Sequence, residues 1–192
     1  MLTIGVIAIQ GAVSEHVAAL EKVSSGLNYK IETIKKKGIV PHCDGLVIPG
    51  GESTTISRLL RFEGIDKELL DNEHIPMLGT CAGLIILSNY QDKDVEGLGL
   101  MDMQVKRNAF GRQAESFELP LDITVFDSPF DAIFIRAPAI KQVGNGIDIL
   151  ARVEDYSVAA QQGNKLALAF HPELSDDLRF HKYFLQLLDS SS

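Results

Sequence analysis

Gly79-Thr80-Cys81-Ala82-Gly83 sits between two apolar runs, residues 75–78 and 84–87, and few backbones satisfy that pattern. A short buried strand, a sharp turn and a buried helix do. Small residues two positions either side of the centre let the chain turn tightly, so the middle side chain stands at the strand's carboxyl end. A thiol there also meets the positive end of the helix dipole and unpaired backbone N–H groups, which favour negative charge. Cys81 is therefore a candidate nucleophile. A five-residue match also admits a buried structural cysteine, because a free thiol packs as a small hydrophobe.

The rest of the first half repeats the strand, turn and helix theme. Residues 2–9 are apolar with little alternation, as in a strand covered on both faces, and Gln10-Gly11 then turns into a helix with Val13, Val17 and Leu20 on one face. Such a start indicates an α/β fold. Gln10 stands at a strand's carboxyl end, where open α/β sheets place ligands; a surface turn residue would stand there equally well. Residues 29–34 make a second strand, and Lys35-Lys36-Lys37 a solvated turn. His42 and Cys43 follow with no partner at useful spacing and read as structural or surface residues. Leu46-Val47-Ile48 is a third buried strand, running into Pro49-Gly50-Gly51-Glu52-Ser53. Paired glycines bring backbone N–H groups close to a ligand, and Ser53 is the expected N-cap of a helix carrying Ile56, Leu59 and Leu60. No Gly-Lys-Ser/Thr element supports a phosphate cradle. An oxyanion loop beside the elbow is the functional reading, and a plain strand-to-helix turn the structural one.

The second half is patterned differently. Met101, Met103 and Val105 alternate with polar residues, as do Leu121, Ile123 and Val125, and residues 130–135 form another apolar strand. Residues 147–153, 157–161 and 165–170 read as three more, with a hairpin turn at Gly163-Asn164. Consecutive strands without helices between them are antiparallel hairpins added to a parallel core. Phe180, Tyr183, Phe184, Leu187 and Leu188 then make the apolar stripe of a closing helix, capped near Ser175 or Asp176. The expected architecture is a three-layer, doubly wound α/β fold. Its central sheet is mostly parallel, with helices on both faces and added antiparallel strands, in one domain over residues 1–192. Arg107 and Arg136 each follow an apolar strand, where a guanidinium can pair with a substrate carboxylate or simply be solvated charge.

Composition narrows the partners. With 18 basic against 26 acidic residues the net charge is −8, which argues against a nucleic-acid partner. No run approaches the roughly twenty apolar residues of a membrane span, and residues 1–4 lack the basic segment of a signal peptide. Two cysteines make no disulfide framework, and a reducing cytoplasm is expected to keep a working thiol usable.

A cysteine nucleophile needs a base, and the base an orienting group. His171-Pro172-Glu173, at the end of the last buried strand, supplies both. Spacing of two puts the side chains on one face of an extended segment, and Pro172 disfavours helix for His171. The order Cys, His, Glu differs from that of α/β-hydrolases. His16, His42, His74 and His181 have no acid at useful spacing, and no zinc-type spacing occurs, so no metal is expected.

With Gly79 to Gly83 and His171-Pro172-Glu173 in place, the chain resembles the class I, triad-type glutamine amidotransferases. More narrowly it resembles the glutaminase subunits of pyridoxal 5′-phosphate synthases. The narrower likeness rests on Ile9-Gln10-Gly11-Ala12-Val13, Pro49-Gly50-Gly51-Glu52-Ser53-Thr54-Thr55, Arg107-Asn108-Ala109-Phe110-Gly111-Arg112-Gln113, Phe134-Ile135-Arg136-Ala137-Pro138 and Phe170-His171-Pro172-Glu173-Leu174. It implies that Cys81 attacks the side-chain amide of L-glutamine, with His171 as base then acid and Glu173 orienting it. Gly51 and Ala82 would offer oxyanion N–H groups, and Gln10 would complete that site when a synthase subunit docks in a large hetero-oligomer. Gly50, Gly51, Glu52, Arg107, Ile135 and Arg136 would hold the glutamine. Ammonia would pass to the synthase, so no cofactor is expected on this chain. Alternatives are a catalytically silent scaffold of the same fold, or a glutaminase serving another acceptor.

Overall fold

Strand β1 (Leu2–Ile7) leads into helix α1 (Val13–Val23), and β2 (Tyr29–Ile34) returns beside β1 in parallel register. The computed structural model describes residues 1–111 and 116–191; Arg112 and Gln113, the end of the loop motif that begins at Arg107, lie outside them. Strand β3 (Gly45–Ile48) is followed by α2 (Ser53–Glu63) and α3 (Ile65–Asp71), and β4 (Met77–Thr80) by α4 (Ala82–Leu87). Then come β5 (Met103–Lys106), β6 (Ser116–Leu121), β7 (Phe130–Ile135), β8 (Ala139–Val143), β9 (Asp148–Val153), β10 (Tyr156–Gln162), β11 (Lys165–Leu168) and α5 (Arg179–Ser191).

The main sheet runs β2-β1-β3-β4-β11-β10-β8-β5, with β9 also on β10. The first five strands are mutually parallel, and β10, β8, β5 and β9 pair antiparallel. This is the doubly wound α/β fold with added antiparallel strands that the sequence led us to expect. All residues of β3 and β4 are buried, as a strand covered on both faces requires, whereas β5 alternates buried and exposed. Helices α1 and α5 pack together, and α2 packs on α3 and α4.

Some local expectations need correction. Ile123 and Val125 lie past the end of their strand: β6 stops at Leu121 and, among the described residues, pairs only with β7, as a separate hairpin outside the main sheet. Pro120 explains part of this, since a residue without an N–H is tolerated on an edge strand. Strand β8 follows at once after Arg136-Ala137-Pro138, too short a break for hydropathy to mark. Ser53 is the first helical residue of α2, not its cap. The Glu52 carboxylate takes that place, accepting from the Thr54 N–H at 3.0 Å and the Thr55 N–H at 2.7 Å. At α5, Asp177 rather than Ser175 or Asp176 receives the Arg179 N–H, at 3.1 Å.

The closing helix is fixed by aromatic packing. Phe180, fully buried, has ring centroids 4.9 Å from Phe126, 4.9 Å from Phe130 and 5.4 Å from Phe170. Truncating such a ring to alanine costs about 3–5 kcal/mol. Phe170 also packs on Phe134 at 5.5 Å, and the next residue, His171, donates its backbone N–H to Ile133 O at 2.8 Å. The aromatic core thus clamps the chain on the N-terminal side of His171.

Candidate active site

Cys81, between the end of β4 and the start of α4, has φ 49° and ψ −102°, a backbone conformation that non-glycine residues rarely adopt. Its neighbours are small because nothing larger fits. A Cβ on Gly83 would stand 2.0 Å from Ile48 O, and one on Gly79 would stand 2.7 Å from the Gly83 carbonyl. Among the described residues four non-glycines have positive φ, and three of them, Cys81, Asn108 and Arg136, line one cavity. Strain gathered at one place marks a functional site. Helix α4 has only six residues, and the thiol at its start has an imidazole as hydrogen-bond partner.

That imidazole belongs to His171. Its Nδ1 lies 2.7 Å from Glu173 Oε1, and both residues are buried. The segment is not extended: His171 opens a 3-10 turn, Pro172–Leu174, and this turn rather than strand geometry brings the two side chains together. A Cβ on Gly50 would stand 2.5 Å from His171 Cε1 and 3.2 Å from Cys81 Cβ. The missing side chain of Gly50 leaves room for the Cε1 edge of the imidazole beside the Cys81 methylene. Burial pulls the His171 pKa down, but hydrogen bonding and charge attraction from Cys81 and Glu173 outweigh it and raise the pKa to about 10. Burial pushes Glu173 up, and the His171 hydrogen bond with the His16 and His171 charges more than reverses it, so its pKa is lowered.

The glycine loop lies across the mouth of this pair. The Gly50 N–H donates to Thr80 Oγ1 at 3.0 Å, and Gly50 O accepts from the Ala12 N–H at 2.9 Å. Gln10 Oε1 accepts from the Glu52 N–H at 2.8 Å and abuts Gly51, where an added Cβ would lie 2.4 Å from it. The cavity, of about 500 Å³, is lined by Gly50, Gly51, Glu52, Cys81, Ala82, Arg107, Ile135, Arg136 and His171 among others, in the size range of small-molecule sites. Of the residues singled out from sequence, Glu173 lies behind His171 and Gln10 behind Gly51, outside the cavity wall. Arg107 Nη1 is 3.3 Å from Asp92 Oδ2 and its Nη2 3.7 Å from Glu52 Oε1, so two carboxylates hold the guanidinium at the rim. The Cys81 thiol lies 3.8 Å from Ile135 O.

The family follows from comparison of the whole chain. The model of the SNO glutamine amidotransferase family matches residues 6–190. The chain belongs to that family. It is 57% identical to the pyridoxal 5′-phosphate synthase subunit PdxT of Methanosarcina acetivorans, over 96% of this chain and 97% of the relative. Identity to the subunit of the same name from Methanococcoides burtonii is 56%, over 97% and 99%. A crystal structure of a glutamine amidotransferase, 41% identical, superposes with a TM-score of 0.86 over 97% of this chain and 98% of that one.

Sequence reading missed part of this cavity. Gly11, Ala12, Ser53, Ile85, Asn108, Pro138 and Leu174 complete the cavity wall. His16 and His181, read as lacking an acid nearby, are both fully buried, and His16 Nε2 lies 3.3 Å from Glu173 Oε2. A signal was present. His16 falls three residues after Val13 and four before Leu20, and His181 three before Phe184 and seven before Leu188, which puts each on the apolar stripe of its helix. Neither its position nor its spacing named a partner. Among the described residues no helix is long and apolar enough to cross a membrane.

Proposed function

We propose that this chain, acting as one amidotransferase domain, hydrolyses L-glutamine to L-glutamate and ammonia and hands the ammonia to a pyridoxal 5′-phosphate synthase subunit in a hetero-oligomer. One observation carries the chemistry: His171, tied to Glu173 at 2.7 Å, is hydrogen-bonded to Cys81, and the bare Cα of Gly50 packs against both. His171 takes the Cys81 thiol proton as base. The Cys81 sulfur attacks the glutamine carboxamide carbon and forms a C–S bond. The carbonyl oxygen takes up negative charge, facing the Gly51 and Ala82 N–H groups, which donate to no other group among the described residues. His171 gives its proton to the amide nitrogen as the C–N bond breaks, releasing ammonia. It then takes a proton from water, whose oxygen attacks the thioester; the C–S bond breaks and glutamate leaves.

Arg107 and Arg136 at the rim supply positive charge for the substrate carboxylate, and Glu52 acceptor oxygens for its ammonium. Gly50, Gly51 and Ile135 offer backbone groups. Gln10, already touching the glycine loop, is placed to complete the oxyanion site when the synthase docks. Neither step asks for a metal or cofactor on this chain. The two cysteines are free, which suits a cytoplasmic setting. Two names support the partner: the relatives are called subunits of a pyridoxal 5′-phosphate synthase. The test is glutamate release by wild type and Cys81→Ala, with and without the synthase subunit. Wild type is expected to turn over and to be stimulated by the synthase, and the variant to fall by at least about 10⁴-fold with its fold intact. Turnover by Cys81→Ala would refute the thioester, and wild type indifferent to the synthase would refute the acceptor.

A further inference from the structure

Behind the Cys81–His171–Glu173 row lies a second row that the reaction as written does not use. His16, on α1, and His181, on α5, are both fully buried. His16 Nδ1 is 3.1 Å from His181 Nε2. His16 Nε2 is 3.0 Å from Thr80 Oγ1 and 3.3 Å from Glu173 Oε2. Thr80 Oγ1 in turn receives the Gly50 N–H at 3.0 Å. One imidazole nitrogen therefore touches both the triad's acid and the residue that pins the glycine loop.

The protons in this row can be assigned. Glu173 already accepts from His171 through Oε1, so an ionised carboxylate turns its other oxygen toward His16. A lone pair there would repel it, whereas an N–H stabilises it. His16 thus carries its proton on Nε2, donated to Thr80 Oγ1 and held 3.3 Å from Glu173 Oε2, a buried oxygen that has no hydrogen bond among the described residues, and leaves Nδ1 as acceptor. The proton between the two rings must then sit on His181 Nε2. His181 Nδ1 is left as a bare lone pair, which agrees with its being buried without a hydrogen-bond partner. The adopted assignment leaves the Thr80 hydroxyl proton and the His181 Nδ1 lone pair unpaired. The opposite one pairs that hydroxyl with His16 Nε2 but buries an unpaired N–H on His181 and aims a lone pair at an anion. The charged group decides, because contacts to it are about twice as strong as neutral ones. Burial also lowers the pKa of both rings, that of His181 to about 3.

We propose that His16 is a positioning residue for glutamine hydrolysis: from behind the site it holds Glu173 as a fixed carboxylate and, through Thr80, sets the Gly50 amide of the oxyanion loop, while His181 sets its tautomer. This rests on the glutaminase reading above. Because α1 follows Gln10-Gly11 directly and Ala12 bonds to Gly50 O, the same helix ties the first loop, the glycine loop and the triad's acid into one unit.

The test uses the complex with the synthase subunit, with active sites titrated by a diazoketone analogue of glutamine that alkylates Cys81. His16→Asn keeps a group near Nδ1 but cannot reach Glu173; His16→Gln restores a donor near Nε2. Per titrated site, His16→Asn is expected to lose about 10-fold to 100-fold in kcat with KM nearly unchanged, and His16→Gln to recover most of it. Wild-type kcat in His16→Asn, equal loss in His16→Gln, or a loss confined to the number of titratable sites would each overturn the proposal, the last by making His16 merely structural. If His16→Asn does not fold, Thr80→Val against Thr80→Ser decides. Valine is expected to cost about 10-fold in kcat and serine little, and a Thr80→Val enzyme at wild-type kcat refutes the link to Gly50. Absence of turnover in wild type itself would remove the glutaminase reading and this proposal with it.

Discussion

In the parallel half of the sheet, β1, β3, β4 and β11 deliver Gln10, the glycine loop, Cys81 and the His171-Glu173 turn just beyond their carboxyl ends, whereas Arg107, Ile135 and Arg136 come from β5 and β7 in the antiparallel part. Strands β3 and β4 are buried throughout and paired on both sides. Strand β5 lies at a sheet edge, and β7 has β6 as its one strand partner among the described residues, with the His171 N–H to Ile133 O bond tying it to the other half. The groups proposed to move protons thus stand on the stiffest part of the molecule, and those proposed to hold substrate on its more exposed margin. Bond making needs reacting atoms placed to a few tenths of an ångström, while a carboxylate clamp tolerates more play.

The division breaks most visibly at Gly50. A methyl group there would meet His171 Cε1 at 2.5 Å, and the imidazole, backed by Glu173 and the buried core, has no slack to yield. Gly50→Ala is expected to lose about 100-fold to 1,000-fold in kcat, comparable to losing an oxyanion donor. Steady-state glutaminase kinetics in the presence of the synthase subunit measure it. A normal kcat would mean that the chemistry half is softer than its burial implies. Arg107→Met probes the other half. Losing a charge-assisted hydrogen bond of about 1.5–3 kcal/mol should raise KM for glutamine about 10-fold to 100-fold, with kcat within a few-fold. A fall in kcat at constant KM would place Arg107 with the reacting groups and erase the distinction.

The same division decides what the amino-acid sequence made legible. In the parallel half the elbow at Cys81, strand β2 at 29–34 and the glycine loop follow from short-range rules, because hydropathy and turn residues act locally. The antiparallel half was read less well. The alternation of Leu121, Ile123 and Val125 suggested a strand that stops at Leu121, and β8 went unseen behind a three-residue break. Whether a hairpin joins the main sheet is a tertiary matter, which periodicity does not encode. Ser53 looked like the cap because serine usually is one; the longer Glu52 carboxylate folds back to reach two N–H groups. His16 and His181 were invisible as a pair for another reason: 165 residues separate them, and only the packing of α1 on α5 brings them together.

The smallest expected effect lies in the coupling of the chemistry half to stability. His171 has a folded-state pKa raised from 6.5 to about 10, so its contribution is full below about pH 6.5 and is lost as pH rises through about 10. Glu173 has a lowered pKa, so its contribution is present above its ordinary 4.5 and lost as pH falls below it. The two overlap between these limits. Wild type should therefore exceed Glu173→Gln in Tm most between about pH 4.5 and 6.5, with the gap closing toward pH 10. Each 1 kcal/mol corresponds to about 2–4 °C in a chain of this size, so calorimetry at half-unit steps resolves it. Arg107→Met is the control from the other half. A guanidinium does not titrate in this range, so its offset from wild type should stay flat from pH 6.5 to 10. If the Glu173→Gln gap is also flat, the proton on His171 is not held by Glu173, and the stiff half of the molecule owes its rigidity to packing alone.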